Sequence, residues 1–459
     1  MWTEGRLGPS QARTSVGFPV DVPPGTGSLT IALRWAPAEV TRVKNLVTLS
    51  LFDPHGFRGA GHRHAPEQRV VVGRREATPG FVAGPLTPGT WTVELDLHAV
   101  LPSLRGGVTY QLEAVASPAA ADGPEIDEEE VPDEEPVEPG RPDEPDPVAA
   151  VEPAAAPAGW LKGDLHVHSN HSDARWSIDD VVEHVRRHRL DFLALTDHNT
   201  ITGRAPLRAA LHAAGLNPVL IDGMELTTYW GHANALGISE WVDWRVRGPA
   251  GEGSGMTTSM EEAAWTVRER GGLFVVNHPR SAGYPFCTGC RWEYGDETAE
   301  YADAIEVMNG AWPRRQNEVG MALWDRWLNA GHRIPATAGT DSHGFARRPE
   351  LLGFTYARAG RDPTDILQAV REGRTYLSRG PSVEWLDGDA PAVRVSGATG
   401  EVDVFLVTDG RRHGRRRMSG EGEMRFDLDR AWRWARVEVY AKNKKELLAL
   451  TNPKFIEQR

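Results

Sequence analysis

Only two cysteines occur in 459 residues, Cys287 and Cys290 in the run Cys287-Thr288-Gly289-Cys290. Two thiols cannot build a disulfide framework or a four-thiolate zinc site within one subunit, and the pair reads as two free thiols in a lid-like loop, as a reducing compartment would leave them. No apolar run approaches the ~18 residues needed to cross a bilayer, and Met1 to Ser10 lacks the basic-then-apolar pattern of a secretory signal. The expectation is a soluble, cytoplasmic protein with no membrane partner. Aromatic residues are missing altogether from 117–158, and within it Asp122 to Glu152 holds fourteen acidic residues against the single base Arg141. That segment cannot offset its ordering entropy by apolar burial, so it reads as an acidic, Pro-rich linker, polyproline-like at ~3.1 Å per residue where extended. The formal charge of the chain is 51 − 64 = −13, and Asp122 to Glu152 alone contributes 1 − 14 = −13. The rest is balanced, and net charge argues neither for nor against a polyanionic partner.

On either side of the linker the patterning differs. Before it, β-rich alternating runs at Leu29 to Trp35, Leu46 to Phe52, Arg69 to Val72, Thr90 to Leu97 and Val108 to Val115 are separated by turn clusters, the spacing of a small antiparallel sandwich over residues 1–116. His62 and His64 form a His-x-His pair there with no carboxylate series after it, a satisfied or exposed loop pair. After the linker, apolar strands alternate with amphipathic helices over residues 159–380. The strands are Leu161 to His168, Phe192 to Thr196, Val219 to Leu226, Leu273 to Asn277, Ile305 to Met308 and Ile334 to Ala338. The helical patterns start near Ser177, where Asp180 completes a capping signal, and cover Pro206 to Ala214, Met260 to Arg270 and Asn317 to Asn329. Repeated βα units predict an α/β fold with a parallel sheet, and their number favours closure into a barrel. From 381 to 459 alternation returns, a third, small β module whose basic run Arg411 to Arg417 reads as a solvated hairpin tip.

The ends of the central strands hold the residues able to do chemistry. His166 and His168 lie two apart on one strand, so both imidazoles face the same side. Asp173 follows in a polar loop. His198 ends the second strand, Glu225 the third, His278 a later one, Asp341 and His343 the last, and His232 opens another apolar stretch between them. Mixed imidazole and carboxylate donors suit zinc, manganese or iron better than calcium, and nine candidates are too many for one ion, so two or three divalent transition-metal ions are implied. Burying so many ionisable groups without a cation would be costly.

The runs Asp164 to Ser169 (DLHVHS), Leu195 to Thr200 (LTDHNT), Glu225, Asn277 to Pro279 (NHP) and Thr340 to His343 (TDSH) resemble the PHP domain, the polymerase and histidinol phosphatase family, from about Gly159 to Pro381. The resemblance implies a distorted seven-stranded, TIM-like βα barrel with a multinuclear metal site. By it His166, His168, Asp173, His198, Glu225, His278, Asp341 and His343 would be ligands, with Glu225 bridging two ions; Asp173 stands where some members carry histidine. Smaller signals, Gly231 to Asn234, Ile305 to Gly310 and the flanking β modules, resemble the carbaryl hydrolase-like branch of that family.

The function expected is hydrolysis of small phosphate mono- or diesters by a metal-activated hydroxide, in a possible homo-oligomer. A carboxylic or carbamate ester hydrolase is the runner-up, and a non-catalytic, metal-loaded binding or regulatory protein is the reading from another class. A nucleic-acid factor working through Arg411 to Arg417 is the least favoured. Asp197 is a candidate acid or an orienting residue for His198. Arg280, just past the NHP turn, is the candidate to hold a substrate anion. Trp230, Trp241 and Trp312 follow the metal strands and wall a pocket or pack the barrel.

Overall fold

The computed structural model describes residues 1–104, 106–119, 156–253, 255–345, 351–386, 392–426, 432–442 and 445–455. Most of the expected linker therefore lies outside the described residues. The chain divides into two compact units, Met1–Pro153 and Ala154–Arg459. Among the described residues no helix is long and apolar enough to cross a membrane.

The first unit holds β1 (Trp2–Leu7), β2 (Thr14–Val22), β3 (Thr26–Ala36), β4 (Glu39–Val40), β5 (Val43–Lys44), β6 (Leu46–Asp53), β7 (Gly56–Gly61), β8 (Glu67–Gly73), β9 (Gly89–Ala99) and β10 (Val108–Pro118). They form two four-stranded sheets in the orders β1-β10-β3-β8 and β2-β9-β6-β7, beside the short β4–β5 hairpin. Neighbours pair antiparallel, and alternation sends Leu29, Ile31 and Leu33 of β3 into one core with Leu49, Trp91 and Val93. In this unit His62 is buried edge-on against His98, ring centroids 4.6 Å apart, and His64 is exposed.

The second unit begins with β11 (Leu161–Val167), α1 (Ile178–His188), β12 (Phe192–Leu195), α2 (Arg204–Ala213), β13 (Val219–Thr227), β14 (His232–Leu236), α3 (Met260–Glu269) and β15 (Leu273–Val276). It continues with α4 (Thr298–Tyr301), β16 (Ala304–Asn309), α5 (Arg315–Ala330), β17 (Ala336–Gly339), β18 (Phe354–Ala357), α6 (Pro363–Arg371) and β19 (Thr375–Ser378). Seven strands, β11 to β17, stand side by side in sequence order. The pairs β11–β12, β12–β13, β15–β16 and β16–β17 are parallel, but β14 is antiparallel to both neighbours. The hairpin between Thr227 and His232 is too short for a crossover helix, so the strand-helix alternation expected from the sequence breaks there. At the carboxyl ends β11 meets the segment after β17: Asp341 N–H donates to His166 O (2.8 Å) and His168 N–H to Ser342 O (3.2 Å).

Helix α1 begins as the sequence suggests. Ser177 caps Asp180 N–H while the Asp180 carboxylate returns to Ser177 N–H, with Asp179 and Asp180 in the first turn and Arg186 to His188 in the last, matching the helix dipole. Its Val181, Val182 and Val185 pack into a core with Leu193 and Leu195 of β12.

The remaining strands are β20 (Ser382–Leu386), β21 (Ala392–Ser396), β22 (Glu401–Thr408), β23 (Arg411–Ser419), β24 (Gly422–Arg425), β25 (Trp434–Ala441), β26 (Leu447–Thr451) and β27 (Lys454–Phe455). The sheet does not stop at the boundary expected near residue 380: β18 extends it beside β11, β19 follows, and β19 pairs antiparallel with β26, giving one mixed fourteen-stranded sheet. The basic run is not a hairpin tip. Arg411 to Arg417 lie on the edge strand β23, where Arg415 and Arg417 both hold the buried Asp403 carboxylate and Arg412 reaches Glu438. Charged residues on an edge strand guard it against pairing with another chain.

Candidate metal centre

All nine sequence candidates fall at one rim of the seven-strand run. His166 is on β11 and His168 just past it; His198, His278, Asp341 and His343 follow the ends of β12, β15 and β17; Glu225 is near the end of β13. His232 opens β14, and because β14 runs backwards its first residue lies at the same rim. Asp173 comes from the loop after β11. The backbone is strained here: Asn199, His278 and Asp341 hold positive φ of 57°, 26° and 51°. Such conformations persist only where surrounding contacts over-determine them.

Glu225 is the centre of the arrangement. Its fully buried carboxylate lies 3.4 Å from His166 Nε2, 3.6 Å from His168 Nε2, 2.8 Å from His198 Nδ1, 3.5 Å from His232 Nδ1 and 3.5 Å from His278 Nε2. Asp341 adds a second carboxylate 3.4 Å from His166 Nε2 and 3.1 Å from His168 Nε2. On the far side Asp173 Oδ1 sits 3.4 Å from His198 Nε2 and 3.2 Å from His343 Nε2. Among the described residues of this unit, three overlapping groups have donor atoms close enough to share an ion: His166, Glu225 and His278; His166, His168 and Asp341; and His168, Asp173, His198 and His343.

The imidazoles are oriented from behind. His166 Nδ1 bonds Glu306 Oε1 (3.1 Å), His232 Nε2 bonds Thr288 O (3.1 Å), His278 Nδ1 bonds Cys290 O (3.2 Å) and His343 Nδ1 bonds Asp341 O (3.0 Å). A carbonyl or carboxylate oxygen only accepts, so each of these ring nitrogens carries the proton and the opposite nitrogen presents its lone pair inward. His166 Nε2, both His168 nitrogens and His232 Nδ1 are buried without a hydrogen-bond partner. Buried ring nitrogens gathered around two carboxylates fit a transition-metal donor set.

The electrostatics agree. Burial pushes the Glu225 carboxyl up, but His166, His198 and His232 outweigh it and hold it well below the usual carboxylate range. Asp341 is held down in the same way, by His166, His168, His343 and His278. Burial, with His343 and His198 facing it, pushes His168 down to about 3, so its imidazole is neutral. Burial also lowers His278 and His343, yet the facing carboxylates raise them to about 9 and about 10. The carboxylates demand positive charge, which protons or divalent cations supply.

Several residues that the sequence reading left without a role hold the centre in place. Glu306 also accepts from His278 N–H (3.0 Å) and Asn309 Nδ2 (3.1 Å). Asp164 takes Thr340 Oγ1–H (2.6 Å), Thr340 N–H (3.0 Å) and His184 Nε2 (2.9 Å), tying β11 to the loop that carries Asp341. Asn277 Nδ2 donates to Glu225 Oε1 (2.7 Å). Gly339 is demanded by space, since a Cβ there would lie 2.4 Å from His166 Cβ and 2.8 Å from Glu306 Oε1. A carboxylate inside the otherwise apolar run Ile305 to Met308 was the signal for Glu306.

Asp197 and Arg280 sit differently. Both Asp197 oxygens accept from the loop after His168: Ser169 N–H (2.7 Å), Ser169 Oγ–H (2.8 Å) and Ser172 Oγ–H (2.9 Å). Burial pushes this carboxyl up to about 6 against those bonds. It fixes the loop that delivers Asp173. Arg280 lines a cavity of about 230 Å³ with Trp292, Tyr294, Asp296, Arg326 and Trp327, and none of the nine candidates lines it. Trp230 is buried in the core, and Trp241 Nε1 donates to Asn199 O (2.9 Å). Trp312 is buried too, its Nε1 donating to Lys445 O (3.1 Å). Cys287 and Cys290 are not free thiols: the loop turns tightly enough to bring their Cα atoms to 5.5 Å, and they are joined as a disulfide. The argument for a reducing compartment goes with them.

Known proteins are similar to parts of this chain. An uncharacterized protein of Methanocaldococcus jannaschii is 29% identical over 161 residues, 32% of this chain and 82% of its own length. A 5'-3' exoribonuclease of Escherichia coli is 37% identical over 67 residues, 15% of this chain and only 23% of the enzyme. Among solved structures, a two-domain protein of Bacteroides vulgatus containing a predicted PHP-like metal-dependent phosphoesterase aligns at a TM-score of 0.40 and 18% identity, over 66% of this chain and 98% of that one. Residues 164–252, from Asp164 through the first six metal-ligand candidates, match the PHP domain.

Proposed function

We propose that this chain is a metal-dependent hydrolase of small phosphate mono- or diesters, with the β11 to β17 run as a closed, distorted barrel. The observation that carries this reading is the crowding of five imidazoles within 3.6 Å of the one buried Glu225 carboxylate. His166, Glu225, His232 and His278 would hold one ion, His168, Asp173, His198 and His343 another, and Asp341 would serve between them or with a third. Zinc, manganese and iron suit such donors. Divalent cations held there supply Lewis acidity and make a water acidic enough to attack near neutral pH.

The chain's own residues do the rest. Glu225 and Asp341 stay ionised and balance the positive charge. Glu306, Thr288 and Cys290 keep the inward nitrogens deprotonated. Asp341 and His343 have the most exposed side chains of the nine, 22% and 36%, so substrate enters past them, and His343 is the group placed to protonate a leaving oxygen. Arg280 is offered as an anion contact for a substrate reaching beyond His278. The match to a segment of an exoribonuclease supports phosphoester over carboxylic ester substrates.

The test offers the purified chain, loaded with manganese or zinc, p-nitrophenyl phosphate, its bis-ester and p-nitrophenyl acetate in parallel. Turnover of a phosphate ester that disappears in His166→Ala is expected. Turnover of the acetate alone overturns the phosphoesterase reading, and no turnover by a metal-loaded chain favours the binding or regulatory alternative.

A further inference from the structure

The loop closed by Cys287 and Cys290 supplies the acceptors that orient two of the metal-ligand candidates. Within four residues, Thr288 O takes the proton of His232 Nε2 and Cys290 O that of His278 Nδ1. Thr288 and Gly289 are buried beneath the loop. Gly289, at φ 77°, packs so closely that a Cβ would lie 1.9 Å from Thr228 O and 3.0 Å from His232 Nε2. The two cysteines are only half-buried, and their neighbour Phe286 is 77% exposed, so a small reductant reaches the bond from solvent.

We propose that Cys287 and Cys290 form a redox modification site, and that their disulfide sets the affinity of the adjacent centre for divalent cations. This rests on the metal-centre reading above. In the oxidised chain the short ring fixes the Thr288 and Cys290 carbonyls over the imidazoles. A dithiol opens it by exchange. One reductant thiolate attacks a sulfur of the pair, the protein S–S bond breaks and a mixed disulfide forms; the second thiolate then releases the oxidised reductant, leaving two protein thiols with two electrons and two protons gained. Residues 288–290 regain backbone freedom, the two carbonyl acceptors are no longer held, and His232 and His278 lose the bonds that fix tautomer and ring orientation. Loss of such supporting partners weakens metal binding 10- to 100-fold. Coupling is reciprocal, so bound metal favours the disulfide and lowers its midpoint potential by about 30 mV for each tenfold.

The experiment uses the full chain with Mn²⁺ as the probe, because thiolates hold manganese poorly and reduced cysteines will not mask the effect. Free Mn²⁺ is read by electron paramagnetic resonance in titrations of the oxidised chain, of the chain reduced by a dithiol and desalted without air, and of Cys287→Ser/Cys290→Ser. Expected are a 10- to 100-fold weaker Kd on reduction, the same weak Kd in the double variant, and no response of that variant to dithiol. Alkylation in graded dithiol buffers, with and without Mn²⁺, should show the matching shift in midpoint. Equal affinity in the oxidised and reduced wild type overturns the proposal while leaving the metal reading intact, as does alkylation of both thiols before any reductant is added. Absence of Mn²⁺ binding in either state overturns the metal reading and this proposal together.

Discussion

Replacing Glu306 by glutamine exchanges one oxygen for an NH₂ and should disarm His166, the ligand candidate it holds from behind. Its Oε2 accepts two hydrogen bonds, from His278 N–H and Asn309 Nδ2, and its Oε1 faces His166 Nδ1 at 3.1 Å. In Glu306→Gln the amide oxygen must stay where the two donors point, which leaves the amide NH₂ against His166 Nδ1. A donor there forces the imidazole proton onto Nε2, the nitrogen that faces Glu225 and Asp341. The inward lone pair of His166 is lost. The expected cost is a 10- to 100-fold weaker metal affinity, about 1.4–2.7 kcal/mol, with the fold retained because the two side chains are nearly isosteric. Metal titration calorimetry on wild type and variant measures it, circular dichroism checks the fold, and imidazole nitrogen shifts report the tautomer. An unchanged affinity, with Glu306→Gln folded, would refute the idea that the supporting hydrogen bonds set the donor geometry.

Gly339→Ala places a methyl group against His166 and Glu306, so it should cost about 1–3 kcal/mol of stability and reduce metal content; a variant that melts with the wild type and binds metal normally contradicts the packing argument. Burial lowers Lys162 to about 8 even though Asp164 and Asp191 pull it up. The folded chain then binds fewer protons than the unfolded one between about pH 8 and the ordinary lysine value of 10.5, so this contribution to stability is present above that value and lost as pH falls through about 8. Lys162→Met should therefore raise the unfolding free energy at pH 7 by a net of about 2 kcal/mol once the lost bond to His188 O is counted, seen as a higher thermal midpoint, and the gain should fade toward pH 10.5; no gain at pH 7 contradicts it. Arg415→Glu with Arg417→Glu should lower the melting temperature, because both guanidiniums hold Asp403, and leave ester turnover unchanged; loss of turnover without loss of stability would revive a functional role for this basic strand.

The candidate site could be read from the sequence because histidines and carboxylates interrupt apolar strands at their ends, a pattern with few structural uses. What orients them was harder to see. Three of the four oxygens behind the ring nitrogens, Thr288 O, Cys290 O and Asp341 O, are backbone carbonyls of loops, which leave no trace in residue type. Glu306 and Asp164 stand in runs that look like part of a strand or a motif. The strands missed in the first unit are β1, β2 and β7, all sheet edges, and the two-residue β4 and β5 of the short hairpin. An edge strand tolerates Pro19 in β2 and Gly59 in β7, so neither carries the apolar alternation that marks the central strands. In the second unit β14 merged with the apolar stretch that His232 opens, and β18 (FTYA) and β19 (TYLS) mix Thr, Tyr and Ser with few aliphatic residues, unlike the equally short but continuously apolar β12 and β15.

The most direct test of the central claim is the metal content of the full chain purified without chelator, measured by inductively coupled plasma mass spectrometry beside His166→Ala. The account predicts more than one equivalent of transition metal per chain in the wild type and a marked loss in the variant. A folded wild type without metal, unable to take up zinc, manganese or iron when they are supplied, would contradict it.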